Sequence, residues 1–202
     1  MIRADAPPLI LASASTTRQA LCAAAGLPVT VVPARVDETS VKESLAADGA
    51  TAAIVAETLA DLKAASVARK NPQAIVIGAD QMLDCAGVWF DKPPDRAHAH
   101  AQLQALAGKT HTLWSAVVLH RGGHRIWHTV ERADLTMRAL SRETIDTYLD
   151  AAGDAVLGSV GAYQVEALGQ HLFTRIQGDH TTILGLPMLP LLGFLRQHGV
   201  VV

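Results

Sequence analysis

A carboxylate at the end of a buried strand is the first feature of this sequence that asks for a chemical explanation. Ala74-Ile75-Val76-Ile77 is a wholly apolar run of the kind that lies inside a sheet, and Gly78-Ala79-Asp80-Gln81 follows at its carboxyl end, where open α/β sheets usually bind ligands. Solubility needs no charge at that place, so Asp80 stands out. Two adjacent acids, Asp37 and Glu38, follow another β-type run on what reads as a loop. Hard divalent cations that accompany polyphosphates prefer carboxylate oxygens, and a carboxylate beside such a cation can also deprotonate an attacking water.

The cations suit the same chemistry. Leu11-Ala12-Ser13-Ala14-Ser15-Thr16-Thr17-Arg18 is a strand running through small hydroxyl residues into a helix. Backbone N–H groups, hydroxyls and one guanidinium at such a junction form an anion site. Lys63 lies in a helical segment and Lys92 in Phe90-Asp91-Lys92-Pro93-Pro94. A triphosphate carries about four negative charges near neutral pH, so a site for one needs a metal and several cations. Each feature also has a plain structural reading. Ser and Thr cap helices, an acid pair on a loop is usually solvated surface, and a helical lysine usually snorkels to water.

One tempting signal is set aside. His120, His124 and His128 recur at i, i+4 and i+8, which on a helix would align three imidazoles for a transition metal. Gly122-Gly123 interrupts them and the flanks are β-type, so no helix is expected. His98 and His100 are two apart on a helical segment and face different ways.

The elements that would position these residues alternate in the α/β manner. Leu9-Ile10-Leu11 and Val29 to Val32 read as strands around a helix over Thr16 to Ala25. Ala52 to Lys70 has helical spacing, with Ile54, Val55, Leu59 and Leu62 expected on its apolar side and Pro72 ending it. Asp95 to Leu106 is a further helix closed by Gly108. Thr112 to His120 and Arg125 to Val130 flank Arg121-Gly122-Gly123-His124 as a hairpin. Ser141 caps a helix whose first turns carry Glu143 and Asp146, and Ile183 to Leu195 reads as a buried terminal helix starting near a proline.

Composition narrows the classes. With 202 residues, 50% of them hydrophobic, the chain can bury a real core and reads as a single domain over 1–202. A formal net charge of -2 lacks the basic stripe of a nucleic-acid binder, so no nucleic-acid partner is expected. No apolar stretch approaches the roughly 20 residues that span a bilayer, and Leu9 to Ala12 is too short for a secretion signal. Two cysteines, Cys22 and Cys85, in apolar settings suit a reducing compartment better than a disulfide scaffold. A dinucleotide-dependent oxidoreductase is disfavoured because no G-x-G-x-x-G turn follows the first strand.

Taken in order, these pieces resemble the Maf family of nucleotide pyrophosphatases across nearly the whole chain. Residues 11–18 look like its L-A-S-x-S-P-x-R element, Val36-Asp37-Glu38 like its V-D-E, and Ile77-Gly78-Ala79-Asp80-Gln81 like its I-G-[AS]-D-x strand end. Asp91-Lys92-Pro93, Gly108-Lys109-Thr110-His111, residues 161–166 and 176–179, and Leu184-Gly185-Leu186-Pro187 continue the similarity. The resemblance implies a two-lobed α/β fold with a central mixed, partly parallel sheet flanked by helices. It also implies a cytoplasmic homodimer that hydrolyses nucleoside triphosphates to monophosphate and pyrophosphate with Mg2+ or Mn2+. Carried over by position, Asp80 is the general base, Glu38 and Asp80 hold the metal, and Ser13, Arg18, Lys63 and Lys92 bind phosphates. Three positions that track the base fall at Thr17, Gln81 and Glu166. Gln81 and Glu166 resemble the branch acting on 7-methyl-GTP, and a carboxylate suits the paired donors of a guanine edge. Thr17 departs from the tryptophan usual in that branch and Thr16 from the family's proline, which keeps dTTP or UTP as an alternative. A nucleotide-binding regulator of cell division without turnover is the reading from another class.

Overall fold

The computed structural model describes residues 2–202. Its elements run β1 (Leu9–Leu11), α1 (Thr16–Ala24), β2 (Val29–Val31), α2 (Glu38–Ala47), α3 (Ala52–Ala68), β3 (Ile75–Cys85), β4 (Val88–Phe90), α4 (Arg96–Leu106), β5 (Thr110–Arg121), β6 (His124–Met137), α5 (Arg142–Ala152), β7 (Phe173–Gln177), α6 (His180–Ile183) and α7 (Met188–Gln197), with short 3-10 turns between α5 and β7. The strands form one mixed sheet in the order β2-β1-β3-β5-β6-β7, with β4 added on β3. β1 is parallel to both β2 and β3, whereas β3 with β4 and β6 with β7 are antiparallel. The α/β class with a central, partly parallel sheet is what the sequence predicts.

The chain divides into two compact units. The first holds the chain up to Gln81, Trp114–Glu131 and Asp179–Val202. There the period-2 alternation of strand side chains sorts the apolar residues onto two faces. Leu9, Leu11, Ile75, Ile77, Val117 and Leu119 pack with Cys22 of α1 and with Leu191, Phe194 and Leu195 of α7. Ile10, Ala12 and Val76 pack on the other face against Ala64, Val67 and Ala68 of α3. Burial on both faces explains why β1 and the start of β3 read as continuous apolar runs.

The second unit holds Met82–Leu113 and Arg132–Gly178. Its core gathers Leu103 and Leu106 of α4, Ile145 and Leu149 of α5, and Leu135 and Met137 of β6, all buried. Tyr163 and Phe173 meet edge-on at 4.9 Å between ring centroids, with His111 at 5.5 Å from Tyr163.

Several boundaries differ from expectation for physical reasons. Asp37 and Glu38 are not on a loop, because Asp37 caps α2 by accepting from the Ser40 N–H at 3.1 Å and Glu38 is its first residue. No residue of α2 is fully buried, so its sequence lacks the apolar period that would have announced it. Asp80 is not at the end of its strand, since β3 continues to Cys85. Parallel pairing with β1 nonetheless stops at Ile77 and antiparallel pairing with β4 starts at Leu83. The stretch from Gly78 to Gln81 thus lies where a ligand crevice is expected, beside a place where the parallel partner has ended. The buried face of α3 is Val55, Ala56, Leu59, Ala60, Lys63, Ala64 and Val67, while Ile54 is 50% and Leu62 38% exposed. Alanines win the inner face because the strand beneath comes so close. The hairpin is longer than its apolar runs suggested, and Gly122 and Gly123 form its turn with φ of 57° and 82°.

Candidate active site

Strand alternation decides where the acid points. Val76 faces α3, so Asp80, an even number of residues on, faces α3 as well. α3 can approach because residue 78 has no side chain: a Cβ there would lie 2.8 Å from the Ala64 Cβ and would strike the Ala60 carbonyl oxygen. The close approach brings Lys63 of α3 to Asp80. Both are buried, Lys63 at 8% exposure and Asp80 at 5%, and the ammonium donates to Asp80 Oδ1. A fully surface-bound lysine, the plain reading of Lys63, is not what the fold makes of it.

Glu38 completes a triad. Its position at the start of α2 lets Oε1 reach the Lys63 Nζ at 2.7 Å, so one ammonium bridges two carboxylates. The Glu38 side chain stays 44% exposed, which leaves this side of the triad open to water. Two carboxylates around one point form a hard oxygen donor set. Among the described residues no group of three or more His, Cys, Asp or Glu side chains could cage a metal. Such a two-carboxylate set fits Mg2+ or Mn2+, which keep several waters and share substrate phosphates. It does not fit a closed tetrahedral zinc site. His120, in β5, donates from Nε2 to Asp61 Oδ1 of α3 at 2.9 Å, and His124 and His128 belong to β6, so no helix aligns the three.

The hydroxyl-rich junction folds around a buried arginine. Ser15 caps α1 by accepting from the Arg18 N–H at 3.3 Å. The Arg18 guanidinium then turns inward. Nε donates to the Gly185 carbonyl at 2.8 Å, and Nη1 donates to the Ala79 carbonyl at 2.9 Å and to Ser13 Oγ at 3.2 Å. The Ala79 carbonyl belongs to the stretch of β3 that neither β1 nor β4 pairs, and the arginine takes it up. Three of the five N–H groups of the fork are thereby used, and among the described residues Nη2 has no hydrogen-bond partner. Burial pulls the Arg18 pKa down, while the charges of Asp80 and Glu38 pull it up. An arginine stays protonated through such shifts, so its charge faces the two carboxylates.

Gln81, one residue on, points to the opposite face from Asp80. Its Nε2 donates to Ser115 Oγ at 2.8 Å and to the carbonyls of Ile183 and Thr182 at 3.0 and 3.2 Å. Ser115 and Thr182 are thus residues beside this site that the sequence reading passed over, whereas Gly185 was quoted there only within a motif. A serine fully buried in the apolar run of β5 was the available signal for Ser115. Thr17 lies half-buried in the first turn of α1.

The structure therefore brings Ser13, Arg18, Glu38, Lys63, Asp80 and Gln81 together within the first unit. Lys92 and Glu166 belong to the second, both exposed, Lys92 between β4 and α4 and Glu166 after the 3-10 turn that ends at Ala162. Tyr163, three residues before Glu166, shares a hydrogen bond of 2.7 Å between its hydroxyl and His111 Nε2. Burial holds the His111 pKa down at about 4 and pushes that of Tyr163 well up, so both are neutral. The pair ties β5 to the segment that carries Glu166.

The profile of the Maf-like protein family matches residues 8–198 of this chain. A protein of Paramagnetospirillum magneticum named nucleoside triphosphate pyrophosphatase is 56% identical over 193 residues, which is 96% of this chain and all of the relative. Proteins of the same name from Granulibacter bethesdensis and Nitrobacter winogradskyi are 50% and 53% identical, over 94% and 95% of this chain and 96% and 94% of their own lengths.

Proposed function

The chain belongs to the Maf family, and from that premise we propose that it hydrolyses nucleoside triphosphates to monophosphate and pyrophosphate at the Glu38–Lys63–Asp80 triad. The observation that carries the proposal is a buried strand acid joined through one lysine to a second carboxylate, beside a buried arginine. Asp80 takes a proton from water as the water oxygen bonds to a phosphorus of the α–β anhydride. The bond to the leaving pyrophosphate breaks, and its electron pair departs with that group. General-base help of this kind is worth about 10² to 10⁴ in rate. Lys63, Lys92, Ser13 and the free Nη2 of Arg18 hold phosphate oxygens. Glu38 and Asp80 would hold Mg2+ or Mn2+, which supplies charge neutralisation on the leaving oxygens. Asp80→Asn, assayed for pyrophosphate release with its fold checked by circular dichroism, should lose about 10²-fold or more. Near-native release would remove Asp80 from the role.

For the base, the preference leans to a guanine-type ring such as 7-methyl-GTP. Glu166, exposed in the second unit, offers a carboxylate to the paired N1–H and N2–H donors of guanine. Thr17 favours the second reading, dTTP or UTP, since a cationic methylated ring would gain from an aromatic side chain at that position. Side-by-side kcat/KM values for 7-methyl-GTP, dTTP and UTP decide between them. We also propose a cytoplasmic homodimer: the two free buried cysteines suit a reducing compartment, and the dimer is what the resemblance implies. Sedimentation at the monomer mass would end the dimer proposal.

A further inference from the structure

We infer that Thr181, together with Asp179, is the positioning residue of Arg18: the pair closes residues 179–188 into a clasp whose Gly185 carbonyl aims the guanidinium. The inference rests on the pyrophosphatase reading only for what Arg18 binds, and it gives a task to two residues that the reading leaves unused.

The clasp runs from the cap of α6 to the start of α7. Asp179 opens it, since Oδ1 accepts from the N–H groups of Thr181 and Thr182 at 2.9 and 3.1 Å and from the Thr181 hydroxyl. With its proton given to Asp179, Thr181 Oγ1 has only lone pairs to offer, and it accepts from the Met188 N–H at 3.0 Å. That bond closes the far end. Met188 is the first residue of α7, so its N–H is one of those a helix cannot satisfy from within, and Pro187 before it makes no capping bond. Thr181 supplies the missing cap from across the clasp, and Met188 is buried in the core of the first unit.

Between the two ends the backbone is tied across. The Gly185 N–H donates to the Thr182 carbonyl and the Leu186 N–H to the Thr181 carbonyl, both at 3.0 Å. Gly185 lies among these ties with φ of 89°, a conformation that L side chains rarely adopt, and a Cβ there would lie 3.4 Å from Arg18 Nη2.

The Gly185 carbonyl takes the Arg18 Nε–H at 2.8 Å. The other two bonds of the guanidinium, to the Ala79 carbonyl and Ser13 Oγ, both leave from Nη1. A planar group held at Nη1 alone can pivot there. The second tie, at Nε, fixes the plane and with it the direction of Nη2, the arm without a hydrogen-bond partner among the described residues. The bonds of Asp179 and of the Thr181 hydroxyl stay within the clasp, so the two residues act on Arg18 only through Gly185.

Two measurements test this. In 15N-labelled protein the Arg18 Nε–H signal, assigned by its loss in Arg18→Lys, reports the bond to Gly185. Thr181→Val keeps the shape of the side chain and removes both bonds of the hydroxyl, so exchange of that signal with water should quicken by about 5- to 10-fold. Thr181→Ser should restore the wild-type rate. Asp179→Ala, at an exposed position, should move the signal the same way and serves if Thr181→Val does not fold. An unchanged Nε–H rate in Asp179→Ala, or in folded Thr181→Val, would overturn the inference. The second measurement separates positioning from mere support. Thr181→Val should raise KM for GTP and UTP alike by about 5- to 10-fold with kcat nearly unchanged, and should add little in an Arg18→Lys background. A residue that only supports the fold would lower kcat through loss of folded enzyme, equally in both backgrounds, and that result would sink the idea. Failure of the wild-type protein to release pyrophosphate from triphosphates would refute the pyrophosphatase reading instead, and the Nε–H signal would still decide the clasp.

Discussion

His111 shows how a single side chain couples protonation to stability. The ring is 1% exposed, its Nε2 is bonded to Tyr163, and its Nδ1 has no partner among the described residues. Protonation would add a second N–H with nothing to accept it, in an apolar setting, which is why the folded pKa falls to about 4 from 6.5. The folded-state value is the lower one, so the unfolded chain binds the proton first as pH drops. The stability contributed by a neutral His111 is complete above pH 6.5 and is lost as pH falls toward 4. The difference corresponds to roughly 3 kcal/mol over that window. Urea unfolding at intervals from pH 7 to 4 should show the loss, and His111→Asn should flatten that part of the curve. An unchanged slope in the variant would place the titration elsewhere. At this scale the sequence picked out Arg18, Glu38, Lys63 and Asp80, which the fold gathers in the first unit. It could not show that Arg18 spends most of its donors on Gly185, Ala79 and Ser13, because two of those partners are backbone carbonyls, which every residue has.

Between elements, one contact sets the geometry of the triad. α3 lies on β3 through Ala60, Ala64 and the bare Cα of Gly78, and that approach delivers Lys63 to Asp80. Gly78→Ala forces the helix outward or the strand to bend. Such overpacking typically destabilises by about 1 to 3 kcal/mol. Thermal unfolding should record the loss, and pyrophosphate release should fall with it because the lysine withdraws from the acid. A variant with native stability and native turnover would mean that α3 does not set the position of Lys63. The same contact explains why α3 was misread in detail. Periodicity weighted by size selects Ile54 and Leu62, whereas a helix pressed on a strand buries its small residues and leaves those two toward solvent. α2 was missed for the reverse reason, being held by the Asp37 cap and the Glu38 ion pair rather than by an apolar stripe. Ser141 was a different case: its cap bond to the Thr144 N–H, at 3.1 Å, is local and so readable from residue types.

At the level of the whole chain, charge balance governs what can bind. Glu38 and Asp80 carry two negative charges against the positive charges of Lys63 and Arg18, so the site is balanced by itself and the charge of a bound triphosphate calls for a divalent cation. Removing metal with a chelator should reduce pyrophosphate release to background, and Mg2+ or Mn2+ should restore it. Activity that survives chelation would leave Glu38 as only a counter-ion for Lys63. The α/β class and the order of strands up to β3 were readable because buried strands declare themselves by apolar composition. The region from α5 to β7 was not, since its 3-10 turns and exposed strand carry no sustained period.

Asp80 and Gln81 are neighbours in sequence and opposed in direction, the one turned to α3 and the other to Ser115 and α6. Each has its own set of supports, and no hydrogen-bond partner is common to both. A change of side chain at 81 therefore disturbs Ser115 and α6 and leaves the Lys63 contact of Asp80 in place.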